Sequence, residues 1–172
     1  MHALIDALTA LIENPEAFKG QRPATPRTIQ VDLADAPPCV QRLARALAER
    51  YYNVDLGELS MFDNDDTSMV QSLAGTLAMA AENGELDLPS VLPDGFAPER
   101  TLQLGADGGG MSYFGVSWKD GATSFVVVEL EDPTEDNLLR SFDTPAAWLE
   151  FLTDRLDGDA PADLDALRAA TS

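Results

Sequence analysis

Histidine, cysteine and positive charge are all scarce in this chain. It holds one histidine, His2, and one cysteine, Cys39. Metal centres built from His and Cys are excluded by count. A single cysteine also excludes an intramolecular disulfide. Cys39 lies in a helical pattern next to Val40 and reads as a small buried hydrophobe. A Cys–His nucleophilic pair would require the two lone residues to meet. No serine sits in a Gly-x-Ser-x-Gly elbow. Lys and Arg number 11 against 30 Asp and Glu, a formal net charge of −19. Recognition of a nucleic-acid backbone relies on Lys and Arg clusters, so this balance opposes direct nucleic-acid binding. No apolar run reaches the ~18 residues that span a bilayer. No basic segment precedes the first hydrophobic patch, and the expected location is the reduced cytoplasm. Catalytic, cofactor-binding and metal-binding residues are therefore expected to be none.

What is present is enough for a core. With 172 residues, 45% of them hydrophobic, the chain fits one domain. We expect a single α+β domain over residues 1–158 and a weakly structured helical tail over 159–172. Leu4, Leu8, Leu11 and Ile12 recur at helical spacing before Asn14-Pro15. Residues 16–27 read as a polar surface loop. Thr28 to Leu33 alternates like a strand. Pro37-Pro38 leads a second helix to Tyr51, apolar at Val40, Leu43, Leu47 and Tyr51, with Arg42, Arg45 and Arg50 outside. Leu56 to Phe62 suits a short edge segment. A third helix is expected to Asn83, capped at Thr67 or Ser68 and burying Met69, Val70, Leu73, Leu77 and Ala80. Asn137 to Arg140 suits a short strand. Thr144-Pro145 is the clearest helix start in the chain, with Trp148, Phe151, Leu152 and Leu156 as its buried stripe.

The strand signal is concentrated between Thr101 and Leu130. Thr101-Leu-Gln-Leu104 alternates, which predicts one buried and one wet side. Tyr113 to Trp118 is aromatic and β-branched. Asp120-Gly121 suits a tight hairpin, and Ser124 to Leu130 is a nearly unbroken apolar run, expected to be covered on both faces. A three-stranded antiparallel meander results, with Gly105-Ala-Asp-Gly-Gly-Gly110 as a flexible acidic connection.

Two motifs invite functional readings and fail them. Asp63-Asn-Asp65-Asp-Thr67 begins like a calcium loop, but the sixth position is Ser68 and the twelfth is Ala74, where glycine and glutamate are needed. A P-loop needs Lys-Ser or Lys-Thr after its last glycine, whereas Gly115 is followed by Val116-Ser117. Acidity is the feature that survives. Between Tyr51 and Glu99 there is no Lys or Arg, against ten carboxylates.

The order of segments in the second half resembles the SUKH superfamily, which includes a yeast cell-wall synthesis regulator and many bacterial proteins. The matching parts are an apolar strand, residues 105–116 (GADGGGMSYFGV), residues 126–130 (VVVEL), and residues 141–152 (SFDTPAAWLEFL). The resemblance covers about residues 92–153. Met111-Ser112 stand where the pattern has an acid, and no match to its front motifs precedes Tyr51, so residues 1–50 are divergent or an addition. The resemblance implies one mainly antiparallel sheet backed by helices. It also implies a bacterial immunity protein that binds a polymorphic toxin, often a nuclease, encoded nearby, with no cofactor. Independently, carboxylates suit an inhibitor of a basic nuclease, because they can occupy its phosphate-binding surface and steer association. The candidate contacts are Asp63, Asp65 and Asp66; Asp107 with Gly108, Gly109 and Gly110; and Glu131, Asp132, Glu135 and Asp136. For each, the plain alternative is a solvated loop. A regulatory scaffold with several partners and an enzyme with an unrecognised site are the other functional readings. The sequence leaves oligomeric state open.

Overall fold

Branched and aromatic residues between Thr101 and Glu129 fold into three long strands, and described helices pack on both faces of them. The computed structural model describes residues 1–14, 26–49, 54–56, 59–61, 69–82, 92–93, 95–107, 112–130, 138–155 and 162–171. Strands β1 (Thr28–Ile29), β2 (Val54–Leu56), β3 (Leu59–Met61), β4 (Met69–Val70), β5 (Thr101–Asp107), β6 (Ser112–Lys119), β7 (Ala122–Glu129) and β8 (Leu139–Phe142) accompany five α-helices. The helices are α1 (His2–Glu13), α2 (Pro38–Glu49), α3 (Leu73–Glu82), α4 (Pro145–Arg155) and α5 (Ala162–Thr171). Six strands form one sheet in the order β2-β3-β5-β6-β7-β8, antiparallel at every pairing. The architecture is α+β, as expected.

The central hairpin forms as its sequence predicts. Lys119 pairs with Ala122, leaving Asp120 and Gly121 as a two-residue turn with φ of 51° and 81°. Positive φ at both positions defines the turn type whose twist matches the strands it joins. The sheet is filled on both sides, because β7 is apolar on both. Phe125 and Val127 join Leu102, Phe114 and Val116 in a cluster with residues of α1, α2, α4 and α5. Val126 and Val128 meet Leu73 and Leu77 of α3, with Phe96 alongside. The helices therefore form two outer layers around one sheet.

Several boundaries move, each for a local reason. Thr101 to Leu104 has no wet side, since all four residues are buried. Gln103 is 6% exposed, and its side-chain oxygen accepts from Gln71 Nε2 at 3.4 Å and from the Thr76 hydroxyl. A buried amide is tolerated when it is bonded in this way. Met69 and Val70 do not open a helix. They form β4, whose parallel ladder with β1 adds a second, two-stranded sheet to the single one expected. Helix α3 therefore starts only at Leu73. The alternation from Thr28 yields a ladder only to Ile29, and beyond it the Asp32 carboxylate accepts from the Ala34 amide at 3.0 Å, a local turn that competes with pairing. β8 runs to Phe142, so Ser141-Phe142 is strand and not helix lead-in. Thr144 does cap α4, its hydroxyl accepting from Ala147 N at 3.3 Å. The terminal stretch forms α5, which rests on α1 and α4 with Leu167 5% exposed. The expected cap at Thr67 or Ser68 lies outside the described residues.

Gly115 sits where β5 and, less closely, Leu73 of α3 close in on β6. A Cβ there would lie 2.6 Å from Thr101 Cγ2, 2.9 Å from the Leu102 carbonyl oxygen and 3.3 Å from Leu73 Cδ1. The backbone oxygen cannot swing aside as a side chain can. Gly115→Ala is expected to lower the unfolding free energy by about 1–3 kcal/mol, the range for overpacking. A denaturation midpoint unchanged from the parent would show that β5 and β6 have room there.

Candidate partner-binding surface

The sheet's strand directions decide which predicted acidic segments can act together. β5 and β7 run one way and β6 and β8 the other, so Asp107, Ser112, Glu129 and Leu139 stand at the same end of the sheet. Leu59 pairs with Asp107 there, and Ser112 pairs with Glu129. Asp107 lies one step beyond the Ala106–Tyr113 pair, which puts it two strand spacings, roughly 10 Å, from Glu129. The Ser112 hydroxyl, fully buried, donates to the Glu129 carboxylate. The amide of Glu129 donates to Leu138 O at 2.9 Å, which draws the two ends of the following connection together.

Of the sequence-predicted contacts, the backbone of Asp107 is therefore placed at this end. Gly108, Gly109 and Gly110 fall between Asp107 and Ser112, and Glu131, Asp132, Glu135 and Asp136 fall between Leu130 and Leu138. These seven lie outside the described residues, as do Asp63, Asp65 and Asp66. The chain thus brings the anchor points of two predicted clusters to one sheet end. The third cluster follows β3, which runs away from that end.

Negative charge is also spread beyond the predicted clusters. Glu49 on α2, Glu82 on α3, and Glu150 and Asp154 on α4 are exposed and make no ion pair among the described residues. Three of the described cations are paired locally. Arg42 pairs with Glu13, which raises its pKa; Arg100 pairs with Asp35 at 3.5 Å, and Arg168 with Asp165 at 3.1 Å. The Arg27 guanidinium reaches the Leu47 carbonyl at 2.6 Å. Exposed pairs of this kind contribute little stability, but they leave the helix faces dominated by carboxylates.

Reactive groups are placed as follows. His2 is exposed on the first turn of α1. Cys39 is 9% exposed among core residues, and burial pushes its thiol pKa up. The thiolate is the reactive form, so native Cys39 is expected to react much more slowly with a thiol-modifying reagent than the unfolded chain. Equal rates in the presence and absence of denaturant would contradict its burial. With its pKa raised by burial, the thiol adds no instability below its unfolded pKa. Stability should be lost as pH rises through the folded value. Among the described residues, no group of three or more His, Cys, Asp or Glu converges as a metal site would require, and no helix is long and apolar enough to cross a membrane.

Sequence reasoning missed one feature, a pair of clefts at the tip of the β6–β7 hairpin. They depend on residues from three strands, β6, β7 and β8, and on the 95–100 segment, and no local spacing reveals that. These observations define an α+β protein with an acidic exterior. Searches for similar proteins returned no matching family model, curated protein or solved structure.

Proposed function

We propose that this chain is a non-enzymatic immunity protein that binds and neutralises a basic bacterial toxin, such as a nuclease, encoded beside it. The observation that carries the reading is the net charge of −19, from 30 carboxylates against 11 cations. Such a field attracts a basic protein and raises its rate of encounter. The segment order over residues 92–153 supports the same reading through its likeness to SUKH immunity proteins. A toxin domain that grips phosphates presents cations, and carboxylates anchored at one end of a rigid sheet can occupy that surface in place of the substrate.

The test is co-expression with the product of the neighbouring gene. The expected result is a complex that survives purification, together with rescue of cells from that product's toxicity. A neighbour that is harmless alone and is not retained by this chain would overturn the proposal. Many weak partners in place of one tight one would favour the regulatory scaffold.

A further inference from the structure

The six-stranded sheet ends at β8, which pairs with β7 and with no other strand among the described residues. Register shows which of its backbone groups point outward. The amide of Glu129 donates to Leu138 O, so those two residues form a bonded pair of the ladder. Bonded and non-bonded pairs alternate along antiparallel strands. Val127–Arg140 and Phe125–Phe142 are therefore bonded pairs too, and Leu139 and Ser141 turn their N–H and C=O groups away from β7. Neither residue makes another hydrogen bond among the described residues. Ser141 is exposed and Leu139 is half-buried. Alternate residues of β8 thus present a row of unpaired donors and acceptors, which is the template for one more strand.

The side chains beside this edge decide what kind of strand fits. Leu139 and Ser141 share the α3 side of the sheet with Val126 and line a cleft of about 380 Å³ that Phe96 also walls. A residue set opposite either of them lies on that same side, at the mouth of the cleft. Glu99 lines this cleft, and Asp120 and Asp143 line the one adjoining it. The cations there are Lys119 and Arg100, and Arg100 is engaged with Asp35. Three carboxylates against one unengaged cation, in a chain of net charge −19, favour lysine or arginine on the incoming strand. A second copy of this chain fits poorly. Two-fold pairing about Arg140 would set that charge against itself, and both copies would carry −19. We propose that β8 takes an added strand from a cationic segment of the partner protein, bonded to the backbone of Leu139 and Ser141. The inference rests on the reading of a basic partner and states where that partner sits.

The experiment is amide hydrogen exchange by NMR on the full chain, alone and with a capped peptide of alternating Lys and Val. A Glu-Val peptide and a Lys-Val peptide N-methylated at every residue are the comparators. In the free chain the amides of Leu139 and Ser141 should exchange much faster than those of Arg140 and Phe142. With Lys-Val peptide at about ten times its Kd, exchange at Leu139 and Ser141 should slow about tenfold, and neither comparator should slow it. Ser141→Pro deletes an outward N–H and spares the ladder to β7, as edge positions allow. It should keep the parent's circular dichroism spectrum and abolish binding. Glu99→Gln, Asp120→Asn and Asp143→Asn together should weaken the peptide about threefold or more. The proposal is overturned if Leu139 and Ser141 are already protected in the free chain, by self-association or otherwise. It also fails if the Lys-Val peptide slows neither amide, if a comparator binds as well, or if the triple variant binds as the parent does. Equal retention of the neighbouring gene's product by parent and Ser141→Pro would sink the added strand and leave the immunity reading standing. A product that is not retained, with the peptide bound as expected, would remove the toxin and keep the edge site.

Discussion

Trp148→Ala is expected to lower the unfolding free energy by about 3–5 kcal/mol, the cost of emptying a large aromatic site in a core. Trp148 is 1% exposed and is the hub of the helix-facing cluster. Its indole stacks on Phe125 with centroids 4.8 Å apart and planes 12° from parallel. Phe114 meets it edge-on at 6.0 Å, Phe142 at 5.4 Å, and Phe151 lies at 5.6 Å. These rings come from β6, β7, β8 and α4 itself, so one side chain fastens α4 across three strands. Domains of this kind are stable by only about 5–15 kcal/mol in total, and the variant should be marginal. Trp148→Phe keeps most of the contact and should cost less. Urea denaturation followed by far-ultraviolet circular dichroism measures both. A loss below about 1 kcal/mol for the alanine variant would mean that the four phenylalanines close over the gap.

The same cluster shows how much of the fold the sequence exposes. Thr144-Pro145 and the spacing of Trp148, Phe151 and Leu152 predict α4 with its cap, because cap chemistry is local and the apolar period is long enough to read. The β6–β7 hairpin is as legible, since Asp120-Gly121 needs no tertiary help to turn. Gln103 is the opposite case. Its polarity predicts a wet face, and only the distant Gln71 and Thr76, which bond it, make burial tolerable. Met69-Val70 likewise reads as the start of a helix until Thr28-Ile29 is available to pair with it. Leu164 and Leu167 are the only large apolar residues of the terminal stretch, yet α5 is held against α1 and α4, which no window of sequence contains. For the candidate site, the sequence marks acidic segments but not their grouping. That two of them are anchored at one end of the sheet follows from strand direction, which is a property of the whole topology. The tip clefts depend on it even more strongly.

Charge gives the other large expected effect, and it separates attraction from contact. With the captured partner immobilised, association should slow by one to three orders of magnitude between low and high salt, because the Debye length falls from about 30 Å at 0.01 M to about 10 Å at 0.1 M. Dissociation should change far less. Two neutralised variants then divide the surface. One replaces Glu131, Asp132, Glu135 and Asp136 by their amides; the other does the same to Glu49, Glu82, Glu150 and Asp154, on α2, α3 and α4. Each removes four charges, so long-range steering should weaken similarly in both. If the β7–β8 connection touches the partner, only the first variant should also dissociate faster, since close charge pairs broken at an interface act on the off-rate. Equal off-rates would mean that the connection steers without contact. An on-rate indifferent to salt would leave the acidic exterior as a device for solubility alone, and with it would go the main physical support for a basic partner.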